Sequence, residues 1–240
     1  MIFVFGAWAQ ENPFLFVETN EDIGTRAITC MINDSNGQLW IGTYGGGLKR
    51  YNGIGVETFK HDINVATALS SSEIHDLYID PKDALWIATS NGLNLYNQKT
   101  EAFSQFNPSG LKLSVHSLAQ LDEVRIIVGT HQKGMYVFNT VNKEFQKVEL
   151  EDGIEENGLQ VNDIVVDKLK RIWVGSNYGL MQLDYKSLKL KSVKNRTLQN
   201  EHLLSSEIIS LEPDKFGSIW AGTEQNLSLI HISEPTRHER

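Results

Sequence analysis

The sequence predicts an all-β repeat protein. Three observations predict it: a four-residue signal recurring at a fixed period, a turn-forming Asp at a near-constant distance before it, and no helical periodicity over any comparable stretch. The signal reads Trp40-Ile41-Gly42-Thr43, Trp86-Ile87-Ala88-Thr89, Ile127-Val128-Gly129-Thr130, Trp173-Val174-Gly175-Ser176 and Trp220-Ala221-Gly222-Thr223, with spacings of 46, 41, 46 and 47 residues. The Asp stands six residues ahead of it at Asp34, Asp80, Asp167 and Asp214, and five ahead at Asp122.

Each element of the unit follows from local chemistry. Three residues before the Asp lie Met31, Leu77, Ala119, Ile164 and Leu211, apolar positions of a strand with one buried face. The Asp then opens a hairpin turn. In Asp34-Ser35-Asn36-Gly37 an Asx-type turn places Gly at the left-handed position. The Trp block is the second strand. It ends at Gly47-Leu48, Gly92-Leu93, Gly134-Met135 or Gly179-Leu180, and Tyr51, Tyr96, Phe138 or Leu183 marks the third strand. A weaker fourth strand is expected around Val56–Phe59, Ala102–Phe106, Glu144–Val148 and Leu188–Val193. Four antiparallel strands in each unit of this length form the blade of a β-propeller. The expected fold is therefore a partial β-propeller of about four and a half blades, near residues 28–60, 74–106, 115–149, 161–193 and 208–226, with the ring incomplete. Phe14-Leu15-Phe16-Val17 reads as a fourth strand without a blade of its own.

The two ends read differently. Residues 1–9 (MIFVFGAWA) have the small-x-small ending of a secretory leader at Ala7-Trp8-Ala9, without a basic start, and are expected to be the remnant of a signal peptide. Residues 227–240 break the repeat inside a blade. LSLIHISEPTR, from Leu227 to Arg237, matches the in-frame translation of a widely used sequencing adapter, so this tail is expected not to be native.

Composition removes several function classes. The net charge is −8 without basic clusters, which argues against nucleic acid as a partner. Cys30 is the single cysteine, so no intrachain disulfide can form. Beyond residues 1–9 no apolar run approaches the roughly 20 residues of a membrane span. Gly45-Gly46-Gly47 has no Gly-Lys-Ser/Thr after it and reads as a hairpin turn rather than a phosphate loop. Asp34 opens a sequence like a calcium loop, but its twelfth position is Gly45 instead of a bidentate Glu. His61, His75, His116, His131 and His202 show no metal-ligand spacing, so no metal is expected. No cofactor and no catalytic residue is expected either, although carboxylates from different blades could meet in space.

Strand alternation puts the turn between strands two and three on the same face as the long connections between blades. Long irregular loops on a rigid scaffold carry recognition. That face holds Tyr44, Asn91, His131 and Tyr178, with His75 early in a first strand, near the channel mouth if that strand is innermost. These five are the candidate ligand-binding residues. Aromatic and amide groups there suit sugars, whose ring faces stack and whose hydroxyls need partners.

The units resemble two-component regulator propeller repeats. The resemblance rests on Ile28, Met31, Asp34, Gly37, Leu39-Trp40-Ile41-Gly42-Thr43, Gly47-Leu48 and Tyr51, and it returns through Asp80, Trp86, Asp167, Trp173, Gly175, Asp214, Trp220 and Gly222 over residues 28–226. The third unit departs, with Ile127 for Trp before Gly129 and a turn one residue shorter, and blade three is expected to be distorted. Membership implies the periplasmic sensor region of a hybrid two-component histidine kinase, often one responding to glycan fragments. It also implies partners within the same chain (missing blades and downstream signalling domains) and a possible homodimer. The alternative is a secreted propeller that binds polysaccharide or acts on it as a lyase or hydrolase.

Overall fold

A computed structural model describes residues 27–151, 158–193, 206–223 and 227–230, the last as backbone. Every described element is a strand, and consecutive strands build successive antiparallel sheets. The Phe14–Val17 segment and the leader lie outside the described residues, as does the tail beyond Ile230.

Blade one contains β1 (Ile28–Asn33), β2 (Leu39–Thr43), β3 (Gly47–Tyr51) and β4 (Val56–Phe59). Blade two contains β5 (Ile74–Ile79), β6 (Leu85–Thr89), β7 (Gly92–Asn97) and β8 (Ala102–Phe106). Blade three contains β9 (Val115–Gln120), β10 (Arg125–Thr130), β11 (Met135–Asn139) and β12 (Phe145–Lys147). A two-residue strand, β13 (Glu149–Leu150), follows inside what the sequence reads as a plain connection. It pairs parallel with the outermost strand of blade four, stitching the two blades together. Blade four contains β14 (Val161–Val166), β15 (Ile172–Ser176), β16 (Gly179–Asp184) and β17 (Lys189–Ser192). Blade five contains β18 (Ser210–Pro213), β19 (Ile219–Gly222) and β20 (Leu227–Ile230), the last on the segment expected to be adapter-encoded.

The repeated residues explain the repeated hairpins. Asp34 Oδ1 accepts the amides of Asn36 and Gln38 at 3.0 and 2.9 Å, and its Oδ2 accepts the Trp40 indole N–H at 3.0 Å. Asp80 and Asp167 repeat this clasp on Trp86 and Trp173, each at 3.0 Å. One carboxylate thus closes the first turn and anchors the largest side chain of the blade. The Thr or Ser that ends the Trp block closes the second turn: Thr43, Thr89, Thr130 and Ser176 donate to the carbonyls of Gly47, Gly92, Gly134 and Gly179 at 2.7–2.9 Å.

Cores lie between blades. The blade one–two cluster holds Trp40, Leu48, Ile74, Ile87, Tyr96 and Phe103, and the blade two–three cluster holds Trp86, Leu93, Leu118, Tyr136 and Phe138. The first strands of successive blades pack against one another, so they are innermost. Gly in the second strand permits that approach. A Cβ on Gly129 would stand 2.5 Å from Val161 Cγ1, and one on Gly175 would stand 2.7 Å from Ile208 Cγ2.

Blade three is not distorted. Its four strands pair antiparallel in the same order as those of the other blades, and the departure is local. Because the turn is one residue shorter, Leu118 opposite Val128 takes the place that Leu77 holds opposite Ile87, and Ala119 faces Ile127. Asp122 Oδ2 accepts Arg125 Nε at 2.6 Å where Asp34, Asp80 and Asp167 take an indole.

Candidate functional site at the channel mouth

Four of the five first strands carry a bulge at the same point. The pairings skip one residue between Ile28 and Cys30, between Ile74 and Asp76, between Val115 and Ser117, and between Val161 and Asp163. The skipped residues are Thr29, His75, His116 and Asn162. An extra residue in a strand bends it and re-aims a side chain. Here three of the four aim at the next blade. Thr29 Oγ1 donates to Ile74 O at 2.8 Å, His75 Nδ1 lies 2.9 Å from Val115 O, and Asn162 Nδ2 donates to Ile208 O at 2.8 Å.

The next residue strengthens the same seam. Asp76 Oδ2 accepts the Leu118 amide and Asp163 Oδ2 the Leu211 amide, each at 2.7 Å. Burial raises both carboxyls, Asp76 to about 7, against the pull of those amides. Cys30 occupies the corresponding place in blade one, and burial pushes its thiol up to about 12, so it stays protonated and unreactive.

His116 breaks the series. Its ring lies edge-on to His75 at 4.2 Å between centroids and stacks on His131 at 5.1 Å. Burial lowers its pKa to about 4, with the neighbouring imidazoles adding to the effect, so the ring is neutral near pH 7. His131 Nδ1 is buried without a hydrogen-bond partner among the described residues. Glu73 Oε1 stands 3.5 Å from His75 Nε2, and its hydrogen bond to the Tyr44 hydroxyl raises the pKa of that phenol.

These groups line one open cavity of 490 Å³ at the mouth of the channel, together with Ser90 and Ser114. Of the candidates read from sequence, Tyr44, His75 and His131 line it. Asn91 and Tyr178 do not. The Asn91 amide donates to Ser70 O at 3.1 Å and holds a connection in place, while Tyr178 stands 41% exposed beside its turn. Sequence reading missed Thr29, Glu73, His116 and Asn162. A signal for His116 existed, since it follows Val115 in phase with His75 after Ile74. Among the described residues no cluster of His, Cys, Asp and Glu is arranged to hold a metal ion. The mouth offers aromatic and imidazole rings, hydroxyls, an amide and one carboxylate. It suits a polyhydroxylated ligand better than a strongly charged one.

Residues 22–45 and 68–91 match the model of the two-component regulator propeller. Two segments of the chain carry the two-component regulator propeller repeat. A histidine kinase of Formosa agariphila, named P4, is 30% identical over 161 residues, covering 60% of this chain and 11% of that protein. The chain thus spans about a ninth of that relative's length. Among solved structures, the extracellular domain of a hybrid two-component system of B. thetaiotaomicron superposes with a TM-score of 0.70 at 17% identity, over 88% of this chain and 29% of that one. Virginiamycin B lyase from Staphylococcus aureus gives 0.63 at 11% identity, over 88% and 71%. At these identities the structural likeness establishes the propeller fold. The two matched segments each run through a first strand and into the turn after the Trp block, so they include Thr29, Tyr44, Glu73, His75 and Ser90 of the mouth, while His116, His131 and Asn162 lie in the later blades.

Proposed function

We propose that this chain is the sensory propeller of an extracytoplasmic receptor in a two-component system, and that its channel mouth binds glycan fragments and passes the event to a kinase elsewhere in the same protein. The observation that carries the reading is the mouth itself. Bulged residues from four consecutive blades converge there, and a buried His131 nitrogen stands without a partner among the described residues. Binding across several blades gives a ligand leverage over their relative positions, which a one-blade site lacks. The regulator repeats and the kinase relative support the signalling half of the reading.

The test is a phosphorylation assay on the full-length protein in membranes, with and without oligosaccharides released from a panel of polysaccharides. The expected result is a change in kinase output with at least one preparation, lost in Tyr44→Ala and His131→Ala and kept in Tyr178→Ala. Ligand cleavage with no change in phosphorylation would instead support a secreted or surface polysaccharide-active propeller.

A further inference from the structure

One corner of the face opposite the channel mouth presents apolar side chains beside lysines. Because strands alternate in direction, the first turn of each blade lies at the far end of its strands from the second turns that hold Tyr44 and His131. The second residue after the turn Asp is Asn36, Lys82 and Val124 in blades one to three, but Leu169 in blade four and Phe216 in blade five. Leu169 is 56% exposed and Phe216 81% exposed. Blade four is packed on both sides, so the exposure of Leu169 is not that of a bare blade face. Neither side chain serves a core of this chain.

Cations surround the two apolar tips. Lys168 Nζ donates to the Lys215 carbonyl at 2.9 Å, tying the two turns together, and Lys215 Nζ lies 5.0 Å from the centre of the Phe216 ring. Beside them Lys170, Arg171, Lys186 and Lys191 line an open cavity of 340 Å³. The fold thus gathers lysines from two blades of a chain whose net charge is −8. The carboxylates at this corner are engaged in the turns themselves. Asp167 Oδ1 accepts the Leu169 and Arg171 amides, Asp184 Oδ1 those of Lys186 and Ser187, and Asp214 Oδ1 those of Phe216 and Ser218, at 2.8–3.0 Å. Toward blade two the same face turns acidic, with Asp83 and Glu101 in its turns. Exposed apolar side chains rimmed by lysines are the composition of a surface that rests on anionic headgroups. We propose that this corner of blades four and five docks on an anionic phospholipid surface, with Leu169 and Phe216 entering the headgroup region and Lys168, Lys170 and Lys215 meeting the lipid phosphates. The surface shares no residue with the channel mouth, so it stands or falls separately from ligand binding there.

The test is flotation of the purified protein with vesicles of equal parts phosphatidylcholine and phosphatidylglycerol, beside vesicles of phosphatidylcholine alone. The expected result is binding to the mixed vesicles at least tenfold above that to phosphatidylcholine, and weaker as salt is added. Leu169→Ser combined with Phe216→Ser should reduce it at least fivefold. Lys168→Glu, Lys170→Glu and Lys215→Glu together should reduce it at least tenfold. Met31→Ser, which removes an exposed apolar side chain from blade one, and Tyr178→Ala, on the mouth face, should leave it unchanged. Circular dichroism checks that each variant folds; should the triple variant fail, Lys170→Glu alone should still weaken binding at least twofold. No flotation with the mixed vesicles, equal flotation with phosphatidylcholine alone, or flotation undiminished in the folded variants would overturn the proposal. Loss in the lysine variants without loss in the serine variants would also overturn it, and would mark a surface for soluble polyanions instead.

Discussion

At the scale of single residues, the turn carboxylate carries the most structure per atom. Asp80 accepts the amides of Lys82 and Ala84 and the indole of Trp86. Asp80→Ala removes three hydrogen bonds and strands a buried indole N–H, at a cost of about 2–4 kcal/mol. Urea denaturation of the protein checks it; a loss below about 1 kcal/mol would mean that water replaces the carboxylate. A second prediction concerns pH. The carboxyl of Asp76 is raised from 3.8 to about 7, so its contribution to stability is full below about pH 4 and fades as pH rises through 7. The imidazole of His116 is lowered from 6.5 to about 4, so its contribution is present above about 6.5 and is lost as pH falls through 4. The two slopes oppose each other between pH 4 and 6.5. Relative to the parent, His116→Gln should therefore make stability fall more steeply with rising pH across that window, and Asp76→Asn should make it rise. Melting curves at several pH values read both, and parallel profiles in all three proteins would contradict the assignment.

At the scale of elements, much of the blade was legible because it is written in residue types with few substitutes. Asp closes the turn, Gly or an αL residue completes it, and Trp fills the boundary. Where Gly is missing from the first turn, Asp83 and Lys170 adopt φ of 62° and 61°, beside 76° for Gly37. The bulge was not legible. It is a property of register between strands, and no residue type demands it, so Thr29, His116 and Asn162 looked like ordinary strand positions. The short parallel strand β13 escaped for the same reason, since its pairing depends on a blade some 40 residues away. In blade three, counting back from Asp122 misplaces the buried apolar residue by one, because the shorter turn moves the register. A testable consequence sits in the second strand. Gly129→Ala puts a methyl against Val161 and Ile164 and should cost about 1–3 kcal/mol by overpacking. Ala88, at the same place in blade two, is already accommodated, so Ala88→Gly should cost about 1 kcal/mol at most. The same denaturation series compares them, and equal effects at the two sites would show that the boundaries are not individually fitted.

At the scale of the whole molecule, the first and last described blades carry exposed apolar side chains. Met31 is 60% exposed on the outer face of blade one, whereas its counterpart Leu77 is buried against a neighbour. On blade five Trp220 is 38% exposed, unlike Trp40, Trp86 and Trp173. Apolar faces of this kind are covered by another blade or associate. The chain produced by itself should show concentration-dependent association in sedimentation velocity; a monomer at all concentrations with one cooperative melt would contradict this. The proposed ligand site is the mouth that the arc partly surrounds. Calorimetric titration of the protein with each oligosaccharide preparation of the panel tests it. Saturable binding is expected, weakened more than tenfold in Tyr44→Ala and in His131→Ala and unchanged in Tyr178→Ala. Equal affinity in all four proteins would place the ligand elsewhere and remove the channel mouth as the sensing site.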